Sequence, residues 1–279
     1  MIEIFGLNKI YDNRVEALKK ITAKISKKRT AIIGRNGAGK TTLIRILSTQ
    51  LMPTSGYALI NGLNILKDEN EIRKRVSCIP QEARPVGLLT PYEHILIYLT
   101  ARGYSFKDAS QEARKALKEV NLWENRSTPA DELSGGMKRK LFVAMALASN
   151  ADLVFLDEPT TGLDPLSRLE VWTAIKGLGS ELVLTTHYME EAQSLADELI
   201  FMESGTIIKQ GTAEEVLSEF RGKVRVESRK PVDGWKRAGG LYINYVDSDS
   251  AQEYIKMGYD VKQITLEDLF FKYGVEIES

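Results

Sequence analysis

The sequence of 279 residues holds one cysteine, Cys78, so no disulfide can form within it. This fits a reducing compartment. Cys78 sits in the apolar run Val76-Ser77-Cys78-Ile79 and reads as a small buried hydrophobe. Long apolar runs are also missing. The most apolar stretch, Leu141 to Ala148, is preceded by Lys140 and broken by Ser149, Asn150 and Asp152. That is far short of the roughly 20 apolar residues needed to span a bilayer, so any membrane role is expected to come through a partner. Met1-Ile2-Glu3-Ile4 lacks the basic and long apolar regions of a signal peptide. Charge of one sign is not in excess, with 38 Lys+Arg against 38 Asp+Glu. A neutral chain lacks the footprint of a dedicated nucleic-acid binder. With 43% hydrophobic and 27% charged residues, the composition is that of a globular protein rather than a disordered one. The length suits one large domain and a small appendage.

Periodicity then organises the chain. Met1 to Leu7 alternates like a strand, and Val15 to Ile25 reads as extended. Thr30 to Ile33 is a short apolar strand that runs into a Gly-rich loop, and Thr41 to Gln50 follows with helical spacing. Asn61-Gly62 between Tyr57–Ile60 and Leu63–Leu66 is a hairpin signal. Ile72 to Ile79 reads as a short helix, then a strand. From about 88 to 135 strand signals vanish, and Tyr92–Thr100 and Lys107–Val120 predict a helical insertion. Strands at Leu153–Leu156, Leu182–Thr185 and Glu198–Met202 then alternate with helices at Gly135–Ser149, Pro165–Lys176 and Tyr188–Ala196. That alternation predicts an α/β fold with a mostly parallel sheet. A last strand and helix follow at Thr206–Gln210 and Thr212–Phe220. The Lys/Arg-rich stretch Arg221–Arg229, with Pro231 and Gly234 after it, reads as a boundary and a solvated linker more readily than as a lipid or nucleic-acid patch. The expected organisation is a domain over 1–220 and a small α+β appendage over 221–279. In the appendage, strand, helix and strand at Leu241–Val246, Ala251–Met257 and Val261–Thr265 precede a helix at Leu266–Tyr273.

Three local patterns carry chemistry. Gly34-Arg35-Asn36-Gly37-Ala38-Gly39-Lys40-Thr41 matches G-x-x-x-x-G-K-[ST] between an apolar strand and a helix, the context that confirms a phosphate-binding loop. Its backbone N–H groups and the helix's positive end cradle phosphates. Lys40 reaches the β- and γ-phosphates, Thr41 ligates Mg²⁺, and Thr42 can donate to the α-phosphate. The apolar strand Leu153-Val154-Phe155-Leu156 ends in Asp157-Glu158, and ligands bind at such strand ends. Asp157 can hold Mg²⁺; Glu158, expected to point elsewhere by strand alternation, can take the proton of an attacking water. Leu133-Ser134-Gly135-Gly136-Met137 opens a long helix and offers free N–H groups. One loop already holds one triphosphate, so this second anion site reads as a contact to the nucleotide of another subunit.

With these motifs in this order, the chain resembles the nucleotide-binding subunits of ATP-binding-cassette (ABC) transporters over about residues 1–220. The Walker A motif matches Gly34–Thr42, the signature Leu133-Ser134-Gly135-Gly136, and Walker B Leu153–Asp157 with the catalytic glutamate at Glu158. The resemblance implies a P-loop NTPase cassette with an N-terminal antiparallel β-subdomain. It further implies that Gln81 helps ligate Mg²⁺ and couples to the membrane partner, and that His187 contacts the γ-phosphate. Tyr11 would stack on adenine, and Thr161-Gly162-Leu163-Asp164 would be the D-loop. The implied cofactors are ATP and Mg²⁺. The implied partners are a second cassette, with Ser134, Gly135 and Gly136 clamping its ATP, and a polytopic permease at the inner face of the cell membrane. Ser26-Lys27-Lys28-Arg29-Thr30 departs from the family's usual acidic turn. Thr161-Gly162 and Leu266-Glu267-Asp268-Leu269-Phe270 are similar to the ABC-2 and multidrug-export branch, which points to an exporter. The appendage could serve dimerisation or regulation. His94 has no motif around it and reads as structural.

Two other functions compete. A non-transport ABC ATPase acting on nucleic acid or the ribosome would need long coiled coils or, usually, two cassettes, and the chain has neither. A P-loop kinase or GTPase would leave Ser134-Gly135-Gly136 without a role, and no guanine-reading Asn-Lys-x-Asp is present.

Overall fold

The computed structural model describes residues 1–238 and 240–273; residues 274–279, the end of the expected appendage, lie outside them. The chain forms two compact units, Met1–Ile207 and Ile208–Ser279.

In chain order the first unit runs β1 (Ile2–Ile10), β2 (Glu16–Ile25), β3 (Arg29–Ile33), α1 (Lys40–Leu47), β4 (Ser55–Ile60), β5 (Leu63–Asn64), α2 (Glu69–Arg75) and β6 (Val76–Ile79). Next come α3 (Pro91–Ala101), α4 (Phe106–Glu119), α5 (Gly135–Ala148), β7 (Leu153–Asp157), α6 (Pro165–Lys176), β8 (Glu181–Thr186), α7 (Met189–Leu195) and β9 (Glu198–Glu203). β10 (Thr206–Gly211) crosses the division between the units.

Two sheets build this unit. In the order β2-β1-β4-β5, β1 pairs antiparallel with both β2 and β4. Its buried Ile2, Ile4 and Leu7 pack into a core shared with Leu43, Ile44, Ile46 and Leu47 of α1. The second sheet has the order β10-β9-β3-β8-β7-β6, and the pairs from β9 to β6 are parallel. Its inner strands are continuous apolar runs because helices cover both faces: Ala31, Ile32 and Ile33 of β3 and Val154, Phe155 and Leu156 of β7 are all fully buried. Register sets the function. Ile33 lies opposite Thr186, and Asp157 opposite Thr185. The chain therefore leaves β3, β7 and β8 at one common edge, which brings Gly34, Glu158 and His187 together.

Between β6 and β7 the described residues are helical or irregular. Thr90 and Glu93 form a reciprocal capping box at the start of α3, and Ser105 caps α4 by accepting from Asp108 N–H. α4 buries Ala109, Ala113, Ala116 and Leu117 along one stripe. His94 is structural: Nδ1 lies 2.8 Å from the Thr90 carbonyl and Nε2 accepts from Val86 N–H at 2.9 Å. With Nε2 accepting, Nδ1 is the ring nitrogen left to donate to the Thr90 carbonyl. Cys78 is half-buried rather than buried, and burial pushes its thiol pKa up.

The second unit contains α8 (Ala213–Val216), β11 (Lys223–Ser228), β12 (Lys236–Ala238), β13 (Leu241–Asp247), α9 (Ala251–Lys256), β14 (Asp260–Lys262) and α10 (Glu267–Tyr273). Its antiparallel sheet has the order β12-β13-β11-β14. This corrects the reading of Arg221–Arg229 as a solvated linker, because β11 is an interior strand. Val226 is fully buried, and Arg225 is buried because its Nη1 pairs with Asp268 Oδ1 of α10 at 2.9 Å. Arginine in a charge run is tolerated inside when a carboxylate neutralises it. α10 packs into the core through Asp268 and Leu269, and Leu266 just before it is buried too, all at 0% exposure. The helix expected over Thr212–Phe220 is only α8 plus a 3₁₀ turn at Ser218–Phe220, and β14 stops at Lys262 rather than Thr265. No helix among the described residues is long and apolar enough to cross a membrane.

Candidate active site

The loop Gly34–Gly39 joins β3 to α1 under tight backbone constraint. A Cβ on Gly34 would lie 2.5 Å from the Met202 carbonyl oxygen, and one on Gly39 2.5 Å from that of Ala17. Gly39 also has φ +100°, so only glycine satisfies both the conformation and the space. Ala38 N–H donates to Arg35 O at 3.1 Å, and Ala38 O accepts from Gly205 N–H at 3.1 Å. The loop is thereby braced by its own turn and by the turn after β9.

Lys40 is 4% exposed. Its Nζ donates to Gly34 O at 2.8 Å and Arg35 O at 3.1 Å, and lies 3.4 Å from Glu158 Oε1. Burial lowers its pKa, and Glu158, Asp157 and Glu203 oppose that shift. Thr41 Oγ1 donates to Asp157 Oδ1 at 3.1 Å. Thr185 donates to the same oxygen, while Asp157 Oδ2 is buried with no hydrogen-bond partner.

Glu158 departs from the strand-alternation expectation. It follows β7 with φ +48°, a left-handed conformation that is rare outside glycine. Its N–H donates to the Thr185 carbonyl at 3.1 Å and to Thr185 Oγ1 at 3.0 Å, which holds that conformation. The turned backbone brings the carboxylate to the same cluster as Asp157. Oε2 accepts from Gln81 Nε2 at 3.1 Å and Thr161 Oγ1 at 2.9 Å. His187 Nδ1 is 3.3 Å from Oε2, a close approach whose geometry is not that of a hydrogen bond.

Gly34, Arg35, Lys40, Thr41, Gln81, Asp157, Glu158 and His187 therefore meet at the strand ends. A cavity of about 410 Å³ beside them is lined by Asn36, Gly37, Gly39, Lys40, Thr41, Thr42, Gln81 and Glu158. A larger one, about 830 Å³, lies at the opposite strand ends near Lys28, Asp152 and Glu181 and gathers none of the motif residues; chemistry, not size, selects the smaller. Tyr11 stands at the rim, its hydroxyl 3.1 Å from Thr42 Oγ1. Ser134, Gly135, Gly136 and Asp164 are placed elsewhere. Ser134 caps α5 by accepting from Met137 N–H at 3.2 Å, Gly135 is exposed, and Gly136 lies buried beside Ser167. Asp164 caps α6 by accepting from Leu166 and Ser167 N–H, both at 3.1 Å, and the Ser167 bonds hold its pKa below the usual carboxylate range.

The sequence reading missed five lining residues, Val15, Glu16, Ala17, Lys19 and Ser204, which come from the end of the β1–β2 connection, the start of β2 and the β9–β10 turn. It also missed Glu191. That carboxylate is fully buried, and its Oε1 accepts from Thr160 Oγ1 at 2.6 Å and Trp172 Nε1 at 2.9 Å. It links the segment after Glu158 to α6 and α7. The signal available was an acid three residues after Tyr188 in an otherwise apolar helix face.

The donors fit a magnesium nucleotide. Hydroxyl, carboxylate and amide oxygens are the hard ligands that Mg²⁺ takes beside phosphates and water, and the unpartnered Asp157 Oδ2 faces no protein donor. No group of three or more His, Cys, Asp or Glu side chains among the described residues could hold a metal alone.

Fold and site thus define a P-loop nucleotide-binding cassette. A family model described as ABC transporter matches residues 18–161. The daunorubicin/doxorubicin resistance ATP-binding protein DrrA of Streptomyces peucetius is 36% identical over 227 residues, covering 80% of this chain and 68% of that protein. ABC transporter A family member 10 of Arabidopsis thaliana is 34% identical over 249 residues, 86% of this chain but only 27% of the plant protein. The chain thus spans about a quarter of that relative's length. A solved ATP-binding subunit of an ABC transporter superposes with a TM-score of 0.69 at 26% identity, covering 79% of this chain and 93% of that one. The chain belongs to the ABC transporter family and is an ATP-binding cassette of it.

Proposed function

We propose that the chain binds MgATP in the Gly34–Thr42 loop, hydrolyses it as a dimer of cassettes, and drives a separate membrane permease, in the direction of export. The observation that carries the hydrolytic reading is the convergence of Lys40, Gln81 and His187 on the Glu158 carboxylate beside the phosphate loop. Lys40, with Thr42 and the loop N–H groups, binds the phosphates. Thr41, Asp157 and Gln81 hold Mg²⁺, which when bound neutralises charge on the β- and γ-phosphates. Glu158 accepts the proton of the attacking water, and His187 orients the γ-phosphate. General-base assistance of this kind contributes roughly 10²–10⁴-fold. Tyr11 stacks on the base.

The dimer reading is supported by Ser134 and Gly135. They form an exposed helix start that does not line the cavity at the chain's own phosphate loop, and they suit the ATP of a second subunit. Asp164, at the neighbouring helix start, belongs to that interface. The drug-resistance role in the name of DrrA supports export, and no helix among the described residues is long and apolar enough to cross a membrane, which is compatible with a separate permease. The chain then sits at the inner face of the membrane through that partner, with residues 221–279 available for dimerisation or regulation.

Glu158→Gln is the test. Turnover should fall at least about 10²-fold, the scale of a lost general base, while MgATP affinity is retained. Hydrolysis at the parent rate would end the reading.

A further inference from the structure

The three basic residues Lys138-Arg139-Lys140 lie in the first two turns of α5, and each faces a different way. Lys138 Nζ donates to Asp131 O at 3.4 Å, and Lys140 Nζ pairs with Glu170 Oε2 of α6 at 2.6 Å. Arg139 alone turns to the active site. Its Nη2 donates to the Gln81 carbonyl at 2.9 Å and to the Glu158 carbonyl at 3.3 Å. Those same two residues are joined by their side chains, Gln81 Nε2 to Glu158 Oε2 at 3.1 Å. Arg139, Gln81 and Glu158 thus close a ring of three contacts.

We propose that Arg139 is a positioning residue that fixes the aim of Glu158 and ties it to the seating of α5. The inference rests on the hydrolytic reading above. Thr185 holds the Glu158 N–H from the β8 side, and Arg139 holds its carbonyl from the α5 side, assisted by Thr161 N–H at 3.4 Å. Both peptide groups flanking the left-handed residue are therefore clamped. A simple packing role would not need a guanidinium, since burying a cation without a carboxylate partner is costly. Arg139 bonds backbone carbonyls instead, and its Nη1 is buried with no hydrogen-bond partner. Both acceptors are served from one terminal nitrogen, whose two hydrogens lie fixed in the guanidinium plane; a lysine ammonium can also donate twice but holds no fixed plane. The same helix starts at Ser134, about one and a half turns away. A shift of α5 when Ser134 meets a second subunit's nucleotide would therefore reach Glu158 through Arg139. The chain's own site would be primed by occupancy of the other.

The experiment measures steady-state ATP hydrolysis and equilibrium MgATP binding for the parent, Arg139→Met, Arg139→Lys and Glu158→Gln. The proposal expects Arg139→Met to lower kcat by about ten- to a hundredfold, the scale of a misplacement near 1 Å. Affinity for MgATP should stay within about twofold, because neither substitution touches the phosphate loop. Arg139→Lys should recover only part of the loss and decides alone if the Met variant does not fold. Parent-rate turnover by the foldable variant, or an equal loss of kcat and MgATP affinity, would overturn the role for Arg139. If Glu158→Gln is inactive in that same series, the hydrolytic reading survives; if it turns over normally, the reading itself fails and takes this inference with it.

Discussion

Glu191 shows how one buried residue organises the surroundings of Asp157 and Glu158. Burial raises its pKa, and donation from Thr160, Thr186 and Trp172 opposes that shift. A carboxyl whose folded-state pKa lies above its unfolded value binds more protons folded than unfolded between the two values. Its contribution is therefore complete below the ordinary carboxylate value and is lost as pH rises through the folded value. Glu191→Gln keeps the Oε1 acceptor and removes the titration. Thermal melts of this variant should depend less on pH on the alkaline side of pH 4.5 than those of the parent. Glu191→Leu strands the Thr160 hydroxyl and the Trp172 indole N–H, and each unpaired buried donor costs about 1–3 kcal/mol. A Leu variant as stable as the parent would show that these bonds do not matter. An acid on an apolar helix face was the only signal in the sequence, and it did not name its partners, because its importance lies in contacts to positions 160 and 172 that only the folded chain brings near. Lys40, Thr41, Asp157 and Glu158 were legible because each sits in a local pattern whose chemistry is fixed by spacing. The reach of Glu158 was not legible: alternation governs side chains within a strand, and Glu158 has already left it with φ +48°.

At the scale of elements, the phosphate loop is the least tolerant segment. Gly39→Ala would force a Cβ to 2.5 Å from a backbone oxygen at φ +100°. Left-handed strain in a non-glycine residue costs about 1–3 kcal/mol before the clash is counted. Lower melting temperature and lost MgATP binding should appear together; a variant that binds normally would contradict the close packing of this loop on Ala17. In the second unit, β11 and α10 are joined by Arg225 and Asp268. Asp268→Ala leaves the buried guanidinium with Glu227, 2.8 Å from Nη2, as its remaining carboxylate, so the loss should stay below the roughly 3–5 kcal/mol of a fully broken buried pair. Denaturant titration of the second unit should show it, whereas an unchanged midpoint would mean that water replaces the carboxylate. The long periodic elements were readable: α6 runs over Pro165–Lys176 as its spacing predicts, and α3 and α4 lie within a residue or two of theirs. β11 was misread because its charge run conceals an alternation, Val224 and Val226 facing one way and Arg225 and Glu227 the other. A buried salt bridge inverts the usual rule that charge marks solvent.

For the whole molecule, the consequence lies in what the first unit keeps apart. The Lys40–Glu158 cluster and the Ser134 helix start belong to one cassette, yet only the first touches the chain's own phosphate loop. Under the proposed function, such a cassette completes its active site by pairing. Arg139 gives that pairing a route back to the catalytic carboxylate. The parallel sheet explains why so much of this organisation was visible beforehand: its strand ends gather residues far apart in sequence at one edge, and the motif order along the chain reports the strand order indirectly. The most direct test is the solution mass of the Glu158→Gln chain by light scattering with and without MgATP. The account predicts a monomer without nucleotide and a stable dimer with it, abolished when Ser134→Arg is added. A mass that MgATP leaves unchanged would contradict it.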